Sequence, residues 1–327
     1  MGLETVYAVR DGGVKTAVID VTNPAFAVTA TDAELEAMAG QYIREAEQQS
    51  EIPEAVREAL RNSLLGRGLM AASGSFLDGM TTYLLKLGPE NLGDEFTAID
   101  RRIAASFPVF AARLRLQEMA RLMAEGLEPT VGVAQGRPVC LVNIAGGSGA
   151  DSWNALICLR AAKAGMLEGR KIAIAVLDGD SRGPEFGGRA VAALHAAEAP
   201  LSGLDIAFRH FSYEWSDARR LGELLGELGA REAVCGISSE GGLFEYGSDE
   251  EIAANLAVLK EGTAGDAVVV GSVTRKGAVV RASRIGQRLA VKPRTIEEFR
   301  ELGEKSGWRV ERVIERPFSY HVRLVKS

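Results

Sequence analysis

The spacing of hydrophobic and polar residues changes once along this chain, near residue 137. At the start, "TVYAVRDGGVKTAVIDV" alternates apolar and polar positions around Asp-Gly-Gly, which predicts a two-stranded hairpin. Apolar residues then return every three or four positions in "TDAELEAMAGQYIREAEQQ", "IPEAVREALRNSLLGRGLM", "DEFTAIDRRIAASF" and "VFAARLRLQEMARLMAEGL", and that period predicts helices. Thr31-Asp32 with Glu34 reads as a capped start for the first. Pro53 falls near the first turn of the second, where a missing N–H is tolerated.

From Pro138 onward, short apolar runs alternate with amphipathic stretches. Strands are predicted in "PVCLVNIA", "KIAIAVLD", "DIAFRHFS", "EAVCGISS" and "DAVVVGSV", and helices in "DSWNALICLRAAKAG", "GGRAVAALHAAEA", "SDARRLGELLGELG" and "DEEIAANLAVLKEG". Such alternation builds a parallel sheet covered on both faces by right-handed crossovers. After a further helix in "TIEEFRELGEKSG", the strands "WRVERVIE" and "SYHVRLVKS" are joined by a short loop containing Pro317, too short for a parallel crossover, so the last strand runs antiparallel. The expected fold is Rossmann-like α/β, a doubly wound, mostly parallel sheet with an antiparallel last strand. Residues 1–136 are read as an N-terminal hairpin and helical cap or lid, and 137–327 as the sheet domain.

Composition narrows the chemistry. A chain of 327 residues with 46% hydrophobic content can bury a sheet domain and an accessory part. A net charge of -6 and a pI near 5.4 disfavour a sequence-independent nucleic-acid binder. No apolar run reaches the roughly 18 residues that span a bilayer, and "MGLETVYAVRDGG" lacks the basic-then-apolar order of a secretory signal, so the expected location is the cytoplasm. Cys140, Cys158 and Cys235 are far apart in apolar runs and read as buried small hydrophobes; the three histidines are as scattered, and no metal is expected. The edges of the first hairpin offer a surface for pairing with a second copy in a homodimer.

The ligand question centres on "LVNIAGGSGADS", residues 141–152, a glycine turn between the first strand of the sheet and its helix. Ligands of open α/β sheets bind beyond the carboxyl ends of the strands, where this turn lies. A dinucleotide fingerprint needs G-x-G-x-x-G, but Ser152 stands at the third glycine and Asp151 would face the pyrophosphate. A Walker loop needs Lys followed by Ser or Thr after its second glycine, and none is present.

Residues 137–327 resemble the class I S-adenosylmethionine-dependent methyltransferases, whose first strand ends in acid-hydrophobic-Gly-x-Gly-x-Gly. Asn143, Ile144, Ala145, Gly146, Gly147, Ser148 and Gly149 follow that frame, with Asn143 in place of the acid and Ala145 in place of the first glycine. The order of the fourth strand, loop, helix, fifth strand and closing hairpin is also similar to the family's. The resemblance implies that Asn143, Ala145, Gly146, Gly147 and Gly149 contact the cofactor, because glycine permits close backbone approach to its amino-acid and ribose parts. It places the ribose-binding acid in Asp178-Gly179-Asp180, with either aspartate open.

The resemblance further implies an adenine contact from "HFSYEWSD", through Ser212 or Tyr213, and a cofactor contact from Ser238. "SSEGGLFEYGSD" supplies Glu240, Glu245 and Tyr246 as candidate catalytic groups: a carboxylate there binds a cationic or hydroxylated acceptor, or acts as base if burial raises its pKa. By analogy with lids built from N-terminal helices, Phe76 and Tyr83 reach toward the acceptor. His195, His210 and His321 are read as structural. The implied activity is in-line transfer of a methyl group from S-adenosylmethionine to a small-molecule acceptor. The alternatives are NAD-dependent oxidoreduction, aminopropyl transfer from the same cofactor, and non-catalytic cofactor binding.

Overall fold

The computed structural model describes residues 4–48, 53–72, 76–134, 136–283 and 289–327. Gln49 and Ile52, at the ends of two predicted helices, lie outside the described residues. The hairpin forms as expected, β1 (Tyr7–Val9) against β2 (Lys15–Ala17). Next come helices α1 (Asp32–Gln48), α2 (Glu54–Asn62), α3 (Leu64–Ala71), α4 (Gly79–Lys86), α5 (Ala98–Ala104) and α6 (Phe107–Val133). The alternating part follows as β3 (Val139–Ile144), α7 (Ala150–Ala162), β4 (Lys171–Leu177), α8 (Arg182–Leu194), β5 (Asp205–Phe211), α9 (Ala218–Glu227) and β6 (Val234–Ser239). It closes with α10 (Leu243–Tyr246), α11 (Asp249–Gly262), β7 (Val268–Thr274), α12 (Ala278–Ala282), α13 (Ile296–Lys305), β8 (Trp308–Glu315) and β9 (Ser319–Lys326).

Local chemistry explains the departures from the predicted elements. The single helix read over 52–70 is two, because Ser63 takes an extended conformation and its hydroxyl accepts from Gly66 N–H at 2.9 Å, capping α3. Asp78 caps α4 in the same way, through Met80 and Thr81 N–H. Thr31 and Glu34 make the expected reciprocal cap of α1.

The seven-stranded sheet has the order β5-β4-β3-β6-β7-β9-β8, parallel from β5 through β7, with β9 antiparallel to both neighbours. The order reverses direction at β3, so the crevice beyond the carboxyl ends of β3 and β6 is the topological switch point. β3 and β6 are buried along their whole lengths, as a two-sided sheet requires. Their side chains separate by parity: Val139 and Leu141 join the core with α6, α7 and α8, while Cys140, Val142 and Ile144 face α9 and α11.

The N-terminal elements share that first core. α6 lies on β6, β7 and β9 as well as α7. The strand end at 17–21 is tied down by polar side chains of the sheet part. Trp153 Nε1 and Asn154 Nδ2 donate to Ile19 O at 2.9 and 3.0 Å, and Asn154 Oδ1 accepts from Val21 N–H at 2.8 Å. Tyr83 stands between them, donating its hydroxyl proton to Ala17 O and accepting from Ile19 N–H. Among the described residues no helix is long and apolar enough to cross a membrane.

Because these backbone groups are buried, Asn154→Ala leaves Val21 N–H without its acceptor, and chemical denaturation should show a loss of about 3 kcal/mol. A loss below about 0.5 kcal/mol would mean that the Asn154 bonds add nothing to what Trp153, Tyr83 and apolar packing supply.

Candidate functional site

The turn after β3 is built on left-handed backbone at alternate positions: Ala145 (φ 56°), Gly147 (φ 57°) and Gly149 (φ 73°). These are the three glycine positions of the methyltransferase frame, and Ala145 bears the conformation despite its Cβ, at a cost of about 1–2 kcal/mol. Between them, a Cβ on Gly146 would lie 1.3 Å from Asn143 Oδ1, so any other residue there must displace the buried Asn143 side chain. The backbone demand is met even where the residue type departs from the frame.

Beneath the turn lies a group of buried polar side chains. Asn143 and Ser238 are register partners at the ends of β3 and β6, and Asp151 and Ser152 begin α7. Asn143 Nδ2 donates to Asp151, whose Oδ1 also accepts from Ser152 N–H at 3.0 Å. Asn143 Oδ1, Asp151 Oδ2, Ser152 Oγ and Ser238 Oγ are buried without a hydrogen bond of good geometry among the described residues, although the Ser238 hydroxyl stands near enough to Asp151 to act on its carboxyl. Burial, and then the charge of Glu240, push the Asp151 carboxyl up to about 6. Two amide or carboxylate oxygens and two hydroxyls buried so are costly unless further partners complete them.

Asp178, at the end of β4, accepts from Gly147 N–H and Asp180 N–H, each at 2.9 Å, while Asp180 pairs with Arg182 at 3.2 Å. Of the two aspartates, Asp178 is therefore the one held against the turn, and burial raises its pKa. The other predicted contacts lie differently. Ser212 is exposed, and Tyr213 turns into the core, where its hydroxyl donates to Asn255 Oδ1 at 2.6 Å. Tyr83 is likewise core, with its ring 4.7 Å from that of Phe186. The histidines are held by backbone or buried partners, His210 by Asp178 O and His195 by Leu204 O.

The segment before α4 covers the turn. Gly79 packs backbone to backbone on Gly147, so that a Cβ on Gly147 would come within 2.6 Å of the Gly79 Cα. Phe76 lays its half-exposed ring against Trp215 and Tyr246, at centroid distances of 5.9 and 6.1 Å. Ser73 to Ser75, in the same glycine-spaced stretch, lie outside the described residues.

Glu240, read from the sequence as a carboxylate that binds the acceptor or acts as base, holds two cations of the chain itself. It accepts from Lys86 Nζ and from Arg115 Nε at 2.5 Å, while Arg115 Nη1 donates to Glu245 at 2.9 Å. Burial raises its pKa, but Lys86 and Arg115 outweigh that and hold it at about 2. A carboxylate so stabilised is a poor proton acceptor. Glu245, Tyr246, Arg115 and Lys86 line a cavity of about 160 Å³ between α4, α6 and the end of β7, with Leu85 and Val109 on its apolar side. Burial, then Glu245, raises the Tyr246 pKa, so its hydroxyl stays protonated. The sequence reading missed Lys86 and Arg115; the signal available was a lysine inside the apolar run "TTYLLKLG". Among the described residues no three His, Cys, Asp or Glu side chains are grouped to hold a metal ion.

Two stability experiments test this electrostatic arrangement. Glu240→Gln leaves one buried positive charge in excess and should cost about 3–5 kcal/mol, and adding Lys86→Met should recover at least half by restoring neutrality around Arg115 and Glu245. Additive losses would contradict the coupling. For Asp151 the folded pKa lies above the unfolded value, so its stabilising contribution is full below about pH 4 and lost as pH rises through about 6, on the order of 3 kcal/mol in all. Asp151→Asn should flatten stability across that window in a pH series of denaturation curves.

No family model and no curated protein matches the chain. Among solved structures, a possible exported protein from Bordetella parapertussis is 17% identical, with 91% of this chain and 97% of that one covered at a TM-score of 0.58. The mitomycin 7-O-methyltransferase is 14% identical at a TM-score of 0.38, with 67% of this chain and 58% of that one covered. An O-methyltransferase from neocarzinostatin biosynthesis, solved with S-adenosylmethionine and 2-hydroxy-5-methyl naphthoic acid, is 16% identical at a TM-score of 0.38, with 84% and 70% covered. By its strand order, its switch point at β3 and its closing antiparallel hairpin, the chain has the Rossmann-like fold of the class I methyltransferases.

Proposed function

We propose that the chain binds S-adenosylmethionine at the turn after β3 and transfers its methyl group to a small-molecule acceptor held in the adjoining cavity. The observation that supports this most directly is the set of unpaired buried oxygens under the turn. A cationic donor suits them, and the ammonium group of this cofactor is one. Asp151, buried in the first turn of α7, opposes the pyrophosphate of a dinucleotide for the same reason.

In this reading Asn143, Asp151, Ser152 and Ser238 hold the amino-acid end, the backbone of 145–149 lies along it, and Asp178 takes the ribose hydroxyls. The cofactor supplies an activated sulfonium methyl. The chain's task is alignment, for which the cavity between α4 and α6 supplies an apolar wall and the side chains of Arg115, Glu245 and Tyr246. Binding requires residues 76–79 to withdraw from the turn, since Gly79 covers Gly147 and Phe76 takes up the aromatic surface of Trp215. That closed arrangement also favours a second reading, cofactor binding without turnover.

Titration calorimetry with S-adenosylmethionine tests the assignment. Phe76→Ala removes two aromatic contacts of the closed form, each worth about 0.5–1 kcal/mol, and should tighten binding by about 5- to 30-fold. No heat from either protein at millimolar cofactor would overturn the reading. A methylated product found by mass spectrometry in acceptor mixtures separates turnover from binding alone.

A further inference from the structure

Ser319, the first residue of β9, contributes to the wall of the cavity that Arg115 and Tyr246 line. Two residues further along the strand, and so on the same face, stands His321. Ser319 Oγ lies 2.9 Å from His321 Nε2, and His321 Nδ1 lies 2.6 Å from Glu118 Oε2. The Glu118 carboxylate is gripped from its other side by Arg316, with Nε at 2.9 Å and Nη2 at 2.6 Å. All three residues of the relay are buried, His321 almost completely. The methyl-transfer reading uses none of them.

The direction of the hydrogen bonds follows from the partners. Burial raises the Glu118 pKa, but the bonds from His321 and Arg316 outweigh it and keep the carboxyl ionised, hence acceptor only. A neutral His321 therefore carries its proton on Nδ1, and Nε2 is left to accept the proton of the Ser319 hydroxyl. The lone pairs of Oγ remain for a ligand in the cavity. Arg115, one helical turn before Glu118 on α6, has Nε on Glu240 and Nη1 on Glu245, while its Nη2 bonds to neither carboxylate. A serine activated through a histidine and a carboxylate, with a guanidinium lining the same small cavity, matches the requirements of acyl transfer.

We propose that Ser319, His321 and Glu118 form a nucleophilic site that hydrolyses small apolar carboxylic esters in this cavity, independently of any cofactor at the glycine turn. Ser319 Oγ bonds to the carbonyl carbon as its proton passes to His321 Nε2, and the carbonyl electron pair moves onto oxygen, where Arg115 supplies positive charge. Collapse breaks the bond to the alkoxy oxygen, which leaves as the alcohol with the proton from His321. Water then attacks the acyl-serine, again giving its proton to His321; breaking the Ser319 ester releases the acid and returns the proton to Oγ. Glu118 is a positioning residue that fixes the tautomer. At about 160 Å³ the cavity suits a short acyl chain, being close in size to one that holds benzene.

The experiment uses the full chain without added S-adenosylmethionine. It combines hydrolysis of p-nitrophenyl butyrate with labelling by a fluorophosphonate, the modified residue being located by peptide mass spectrometry. The wild-type protein should turn over and carry the label on Ser319. Ser319→Ala, which removes one buried oxygen and keeps the packing, should lower kcat by about 10³-fold or more and abolish labelling. Glu118→Gln should lower kcat by a comparable factor with KM unchanged, a split that a purely structural role does not produce. Wild-type hydrolysis no faster than buffer, a label on another residue, or wild-type rates in Ser319→Ala would each overturn the proposal. Since no cofactor is added, none of these outcomes bears on S-adenosylmethionine binding.

Discussion

Lys86, Arg115, Glu240 and Glu245 bury two positive and two negative charges against one another at the junction of α4, α6 and the loop after β6. Each charge alone would be prohibitive at that depth, so the four positions are tolerable only as a neutral set. This fixes the geometry around it. Lys86 anchors the end of α4, Arg115 the middle of α6, and the two glutamates hold the loop that forms the cavity floor. The N-terminal helices are thereby joined to the carboxyl end of the parallel strands by charge as well as by the apolar core they share with the sheet.

The same end of the sheet carries a different kind of tension beneath the glycine turn. There the polar groups are not balanced: Asn143 Oδ1, Asp151 Oδ2 and the hydroxyls of Ser152 and Ser238 are buried with their hydrogen-bonding capacity incompletely used, and Ala145 holds a conformation that glycine adopts more cheaply. A core evolved for stability alone would exchange these side chains for apolar ones at little cost. The contrast between a satisfied cluster and an incompletely satisfied one, on either side of the ends of β3 and β6, is what the proposed binding site rests on.

Much of the architecture was legible in the chain because it depends on local rules. The hairpin around Asp-Gly-Gly, the mostly apolar strands of a two-sided sheet and the antiparallel close after Pro317 each follow from spacing and turn chemistry. The glycine frame located the turn, and the structure adds that its backbone, not its residue types, carries the pattern. What was not legible is pairing across distance. Nothing near Glu240 in sequence announces Lys86 or Arg115, and Tyr83 and Tyr213 look the same as ligand contacts or as core until their hydroxyl partners, Ala17 and Asn255, are known. Cys140 and Cys235, read as buried small hydrophobes far apart in sequence, are buried and stand as register neighbours on β3 and β6. The break at Ser63 was missed for the opposite reason, since its serine is a weak helix stop unless the chain on both sides is already held.

α6 ties these features together. Arg115 and Glu118 project from one side of it a single turn apart, the first into the ion cluster and the second to His321 and Arg316. A helix of 27 residues pinned on β6, β7, β9 and α7 moves as a rigid body or not at all. Arg115 and the Ser319 relay therefore keep a fixed relation across the cavity, whatever residues 76–79 do above the glycine turn. On the proposed reading, withdrawal of that covering segment would uncover the turn while the cavity wall built on α6 and β9 stays in place.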